Sequence, residues 1–209
     1  MPSEAPTGIT GFDEITGGGL PRGRTTLPVG GPGSGKTILA LQFLVHGAQD
    51  CKEPGIFAAF EETSKRIVGN AESFGWKLAE LRRGKLFLLD ARPTPDLAAK
   101  RREIYRLHEW LLARELTGLI TAKAGGDETS SIGQRPFGFV QFMMDCVVIL
   151  NHSVVLGVSQ RNLRVQKGRG SSFDEDESPF LIGKGGLEIA AARTPGHPPA
   201  KVTSERVPK

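Results

Sequence analysis

Apolar and polar positions follow two different periods along the first half of the chain. Short apolar runs predict strands over residues 25–29, 55–60 and 85–89. Apolar positions at helical spacing predict helices over residues 38–49, 64–74 and 97–114. The first of these helices is apolar on nearly every side, as expected of a helix buried beneath a sheet. Strands that alternate with helices in this way indicate an α/β fold.

Strand patterns dominate the second half. Further strands are predicted over residues 119–122, 146–150 and 163–166, and a hairpin over 180–189. We therefore predict a mostly parallel, twisted sheet flanked by helices, with a C-terminal antiparallel hairpin. Residues 1–193 are predicted to form a single domain, and the proline-rich residues 194–209 a flexible tail.

Composition narrows the class of protein. The chain has 209 residues, 38% of them hydrophobic, and a formal charge of +4, which is weak support for nucleic-acid binding. No run approaches the roughly 18 apolar residues of a membrane-spanning helix, and the first residues lack the regions of a secretory signal. Cys51 and Cys146 lie far apart with no CxxC motif, which indicates a reducing compartment and no structural zinc. These features predict a cytoplasmic protein with no membrane association.

A glycine-rich loop follows the first predicted strand and precedes a predicted helix. It is formed by Gly30, Gly31, Pro32, Gly33, Ser34, Gly35, Lys36 and Thr37. This segment fits the G-x-x-x-x-G-K-[ST] motif, in which backbone N–H groups and a helix N-terminus surround a phosphate. Lys36 is then expected to reach the β- and γ-phosphates, and the hydroxyl of Thr37 to ligate Mg²⁺. The loop predicts nucleotide binding and does not by itself predict hydrolysis.

Short motifs surround this loop in a defined order. They lie at residues 7–13, 18–27, 53–63, 74–76, 84–87, 101–104, 145–150 and 167–172. Together with the loop they closely resemble the KaiC domain of the RecA-like ATPase superfamily, over residues 7 to 189. The resemblance implies a RecA-like P-loop NTPase fold that binds ATP and Mg²⁺.

The resemblance also implies roles for two pairs of charged residues. Glu61 and Glu62 match the carboxylates that activate the attacking water, and Lys167 and Arg169 match a basic pair that a neighbouring subunit extends to the γ-phosphate. A positioned carboxylate and a cation supplied in trans are a reasonable combination for phosphoryl transfer. The implied partner is a second copy of the chain, in a homo-oligomeric ring that is usually a hexamer.

Each pair also has a simpler interpretation. Glu61 and Glu62 precede a predicted N-cap at Thr63, where acidic side chains are favourable without any catalytic role. Lys167 and Arg169 alternate as the exposed face of a strand would, and basic residues on edge strands guard against aggregation.

One element of the family pattern is missing. A RecA-like ATPase carries a Walker B strand that ends in Asp, and it should lie before residues 101–104. Only five residues separate Pro95 from Arg101, whereas a crossover helix and strand need roughly 30. We therefore predict that one internal strand is absent. Asp90, at the end of an apolar run, could replace the Walker B Asp only with a changed strand order.

Three functions follow as hypotheses. The leading hypothesis is an ATP-binding, Mg²⁺-dependent ATPase with weakened hydrolysis, acting as a ring-forming regulatory or signalling protein. The alternative is a non-hydrolysing module that assembles when nucleotide binds, with other protein partners. A recombinase-like, DNA-binding ATPase comes third, since only superfamily membership and mild basicity favour it.

Overall fold

The structure is a computed structural model, and it describes residues 4–59, 63–81, 85–90, 97–123, 138–170 and 172–190. The strands are β1 (Glu4–Ala5), β2 (Leu20–Pro21), β3 (Thr25–Gly30), β4 (Gly55–Ala59), β5 (Leu86–Asp90), β6 (Gly118–Leu119), β7 (Ala122–Lys123), β8 (Cys146–Val155), β9 (Val158–Gly168), β10 (Ser178–Gly183) and β11 (Gly186–Ile189). The helices are α1 (Phe12–Ile15), α2 (Lys36–Gln49), α3 (Ser64–Glu72), α4 (Leu78–Leu81), α5 (Leu97–Leu112) and α6 (Gly138–Met143). Every predicted strand and helix has a counterpart, which confirms the α/β class. The predicted tail, residues 194–209, lies outside the described residues.

Among the described residues, the main sheet has seven strands and is mixed. Its order is β11-β10-β9-β8-β3-β6, with β7 also paired to β3. Strand β3 runs parallel to β8, β6 and β7, whereas β8–β9, β9–β10 and β10–β11 are antiparallel. The antiparallel part is larger than the predicted C-terminal hairpin, because β8 and β9 continue as a hairpin well beyond Leu150. That extension is exposed, so no burial pattern marks it in the sequence.

Pro28 explains why the strand predicted over residues 119–122 is broken in two. β3 pairs with β6 at Thr25 and Thr26, and with β7 at Val29 and Gly30. The gap between the two pairings lies at Pro28, which has no N–H to donate to a ladder. On its other side β3 keeps a continuous parallel register with β8.

Strands β4 and β5 form a separate two-stranded parallel sheet. Leu86 is fully buried against α2, and Phe57 packs on the same cluster. The opposite face carries Ile56, Phe87 and Leu89, each more than half exposed. Within the described part of the chain, no strand joins this pair to the main sheet.

Helix α2 belongs to two hydrophobic clusters. Leu39 and Phe43 pack with residues of the main sheet, including Phe180 and Leu187. Leu41 and Val45 pack in a second cluster with α3, α4 and β5. The helix is therefore buried on two sides, as its apolar residues predicted. None of the described helices is long and apolar enough to cross a membrane.

The two faces of the β4–β5 sheet provide a matched test of this packing. Leu86→Ala is expected to lower the free energy of unfolding by about 2–4 kcal/mol, because it leaves a cavity beneath α2. Leu89→Ala, on the exposed face of the same strand, is expected to change it by no more than about 0.5 kcal/mol. Urea denaturation followed by circular dichroism measures both. Equal losses in the two variants would contradict the burial described here.

Candidate nucleotide-binding site

The glycine-rich loop lies at the carboxyl end of β3 and leads directly into α2. Gly30 is the last residue of β3, and a side chain there would collide with the carbonyl oxygen of Leu150 on β8, which would lie 2.4 Å from its Cβ. Gly35 is the N-cap of α2 and has a left-handed backbone with φ of 93°. Both positions therefore require glycine. The loop is therefore held between the end of β3 and the N-terminus of α2.

The side chain of Lys36 forms hydrogen bonds with the backbone of the loop. Its Nζ donates hydrogen bonds to the carbonyl oxygens of Gly30 and Gly31, both at 2.9 Å. Ser34 is completely buried, and Thr37 is exposed in the first turn of α2. The structure thus brings together a cation, a hydroxyl group and a helix N-terminus in the loop. This is a suitable environment for a polyphosphate anion and its metal ion.

A cleft of about 400 Å³ opens beside the loop. One wall is formed by Gly33, residues 35–38 and Leu41, and the other by α3 and the two residues that follow it. Asn70, Ser73 and Phe74 line this second wall, and the ring of Phe74 lies 5.0 Å from that of Trp76. The sequence alone did not place any of these residues at the site. Phe74 and Trp76 belong to the motif at residues 74–76, and this motif was the one sequence signal that could have assigned Phe74 to the site.

Two residues of the β8–β9 hairpin also contact the loop. The Nε of Arg161 donates a hydrogen bond to the carbonyl oxygen of Gly33 at 3.2 Å. The ring of His152 lies beside Gly33, and its Nε2 is 3.0 Å from the hydroxyl of Ser159. Neither residue was assigned to the site from the sequence, because the predicted strand over 146–150 ended before His152 and the one over 163–166 began after Arg161. The hairpin therefore contacts the loop at Gly33.

Lys167 and Arg169 lie away from the loop of their own chain. Lys167 donates from Nζ to the carbonyl oxygens of Gln141 and Phe142, and Arg169 from Nη2 to that of Phe142. The backbone of Arg169 bonds to Asp145, which bonds in turn to Thr25. Thr25 precedes Gly30 by five residues, so the basic pair lies about 16 Å from the loop along β3. Within one chain, the predicted phosphate loop and the predicted basic pair occupy opposite ends of the sheet.

The end of the sheet with the basic pair also holds a buried polar cluster. Asp145 forms an ion pair with Arg24 at 3.4 Å and accepts a hydrogen bond from the backbone of Thr25. The hydroxyl of Thr25 is 2.7 Å from the Nδ1 of buried His108 on α5. Partial burial, and then the nearby charge of Arg169, lower the pKa of Lys167. These contacts fix the position of the basic pair on the domain.

The two predicted carboxylates come between β4 and α3 in the sequence. Glu61 and Glu62 lie outside the described residues. They follow the end of β4 at Ala59 and precede Thr63, which has the extended backbone of an N-cap and no side-chain cap hydrogen bond. Asp90 ends β5, and β5 pairs with β4 in the separate sheet. The changed strand order that a Walker B role for Asp90 requires is therefore not seen in the described sheets.

Fold and loop together define a P-loop nucleotide-binding domain of the RecA type. The sequence model of the family described as "ATPase: KaiC" matches residues 5–100 and 94–194. The chain is 33% identical to the circadian clock protein KaiC2 of Synechocystis over 230 residues, covering 89% of this chain and 40% of that protein. It is 37% identical to the circadian clock oscillator protein KaiC of Parathermosynechococcus lividus over 227 residues, covering 88% and 41%. The chain therefore belongs to the KaiC family of ATPases.

The alignments with these relatives are longer than the part of the chain that they cover. The KaiC2 alignment has 230 positions, whereas 89% of 209 residues is about 186, so about 44 positions have no residue of this chain. The KaiC alignment gives about 43 such positions by the same comparison, 227 against about 184. The two family matches meet at residues 94–100. The chain spans about two fifths of the length of these relatives.

The two cysteines provide a test of burial away from the loop, at the start of β8 and after the end of α2. Burial raises the pKa of the Cys146 thiol to about 11, whereas Cys51 lies half-buried after α2. Because the thiolate is the reactive form, a disulfide reagent at pH 8 is expected to modify Cys51 and to spare Cys146. Absorbance titration should show one reactive thiol in the native protein and both after unfolding in urea. Equal native reactivity of the two would contradict this packing.

Proposed function

We propose that this chain binds Mg²⁺·ATP between copies of itself in a ring, and that its hydrolysis is weak compared with that of a complete family member. The observation that carries the proposal is the loop between β3 and α2 with the cleft beside it. The free cysteines suit the reducing cytoplasm in which such a protein would act. A regulatory or signalling role fits a protein that responds to nucleotide with a change of assembly.

The residues of the site fit a nucleotide with a metal ion. The triphosphate would lie on the loop, where Lys36 and the N-terminus of α2 supply positive potential. Thr37 is exposed at that point and would hold the Mg²⁺ that screens the phosphate charge. The cleft lined by Asn70, Ser73 and Phe74 has the volume and the mixed polar and aromatic wall that suit a nucleoside.

Weak hydrolysis follows from the missing internal strand. We propose that about 40 residues, comprising a crossover helix and the Walker B strand, are absent near residues 94–100. The unpaired alignment positions support this, as does the junction of the two family matches. The separate β4–β5 sheet supports it too, since its exposed Ile56, Phe87 and Leu89 form a face that a crossover helix would cover. Loss of one well-placed catalytic charge costs on the order of 10²–10³-fold in rate.

The ring is supported by the position of the basic pair. Lys167 and Arg169 lie about 16 Å from the loop of their own chain. A second copy placed head to tail would bring its own pair to this loop, where cations stabilise the charge that develops on the phosphates. Glu61 and Glu62 complete the proposed site as the carboxylates that orient water.

A non-hydrolysing assembly module remains the second candidate, because the same missing strand favours it. Both candidates predict nucleotide-dependent assembly, and only turnover separates them.

Lys36→Ala is the first test. It is expected to weaken binding of a fluorescent ATP analogue about 10- to 100-fold, as for the loss of charge-assisted hydrogen bonds worth about 1.5–3 kcal/mol. Lys65→Ala, an exposed lysine on α3, is the matched control and should bind normally. Unchanged binding in Lys36→Ala would overturn the proposed site. Phosphate release by the native protein that disappears in Lys36→Ala supports an ATPase. Equal phosphate release by the native protein and Lys36→Ala supports the assembly module.

A graft tests the missing strand. Insertion after Pro95 of the segment of a KaiC relative that aligns with the gap is expected to raise phosphate release about 10²–10³-fold. A flexible glycine-serine insert of the same length is the control. If the two inserts give the same rate, the absence of this segment does not limit hydrolysis.

A further inference from the structure

The tip of the β8–β9 hairpin is apolar and exposed. Val154, Val155, Leu156 and Val158 form this tip, and Leu156 is 98% exposed. It begins two residues beyond His152, which lies beside the loop at Gly33. The tip therefore projects from the same end of the sheet as the nucleotide site.

The turn at this tip has an unfavourable residue. Leu156 and Gly157 both have left-handed backbones, with φ of 51° and 78°. Two-residue hairpin turns of this kind favour Asn-Gly, and leucine is a poor residue for the left-handed region. A large apolar side chain thus occupies a position that disfavours it and contacts almost nothing in its own chain. Such a departure at an exposed position points to a function outside the chain.

A second exposed apolar side chain lies at the opposite end of the sheet. Phe142 on α6 is 67% exposed. Its carbonyl oxygen accepts the hydrogen bonds of Lys167 and Arg169. Phe142 and the basic pair therefore form one surface, with a cationic part and an apolar part side by side.

We propose that the hairpin tip of one copy packs on Phe142 of the next copy in the ring. This inference rests on the proposed function. The cations of one copy complement the phosphates on the loop of its neighbour, which places these two ends face to face. The neighbour's tip begins about 7 Å from its own loop contacts, at two residues of strand, so the contact between cations and phosphates brings Phe142 close to the tip.

The contact is heterologous, because it joins two different surfaces of the same chain. Repetition of such a contact closes a ring when the rotation between copies permits. Apolar packing would then hold neighbouring copies in the register that the basic pair needs. The partner that the hairpin tip contacts is therefore a second copy of this chain.

Disulfide capture tests the pairing directly. In a Cys51→Ser background, Leu156→Cys and Phe142→Cys proteins are mixed with Mg²⁺ and a non-hydrolysable ATP analogue, and then mildly oxidised. A crosslinked dimer is expected in the mixture and not in either protein alone. Leu181→Cys replaces Phe142→Cys in the control, because Leu181 is a similarly exposed residue, 62%, on β10. Capture that is no greater than with Leu181→Cys, or crosslinking of Leu156→Cys with itself, would overturn the proposed contact.

Leu156→Asn separates the contact from folding. Asparagine suits the left-handed turn, so the melting temperature of the isolated chain should stay the same or rise. Assembly with the ATP analogue, measured by light scattering, is expected to fall at least tenfold. Normal assembly of Leu156→Asn overturns the tip contact and leaves the ring intact. If the Cys51→Ser protein binds the analogue without assembling, both the proposed ring and the tip contact are overturned. If it does not bind the analogue, the whole proposed function is overturned.

Discussion

Burial of α2 from two sides is the constraint on which the rest of this structure depends. Gly35 is the N-cap of the helix, so the helix and β3 together determine where the glycine-rich loop lies. Leu39 and Phe43 hold the helix to the main sheet, while Leu41 and Val45 hold it to α3, α4 and β5. Because interiors are close-packed, this arrangement leaves the loop little freedom. Both walls of the cleft are positioned by the same helix.

The second constraint is the direction of the strands. Parallel strands place all their carboxyl ends at one edge of the sheet, and the loop, Arg161 and His152 meet at that edge. Lys167 lies in the antiparallel strand β9 and Arg169 directly after it, both at the other edge, where α6 accepts their hydrogen bonds. No side-chain rearrangement closes a gap of about 16 Å. The proposed site, in which the basic pair meets the phosphates on the loop, therefore requires two chains.

Among the described residues, the β4–β5 sheet packs on the rest of the fold by one face only. One of its faces packs on α2 and the other is open, although its exposed residues are as apolar as those of a core. Open apolar faces of this kind are unfavourable in water, and in an intact sheet they are covered by a crossover helix. The proposed loss of a helix and strand thus has a structural counterpart that is independent of the alignments.

The sequence by itself determined the α/β class, the strand–loop–helix unit from residue 25 to 49, and the family. These rest on local signals, namely apolar periodicity and a glycine motif whose backbone geometry few other residues allow. It did not reveal α6, the long β8–β9 hairpin or the contacts of Arg161, because short helices and exposed strands leave no periodic pattern of burial. Only the tertiary structure decided that the loop and the basic pair lie at opposite ends of the sheet. That separation depends on which strands pair and in which direction, and these are long-range choices that no local pattern encodes.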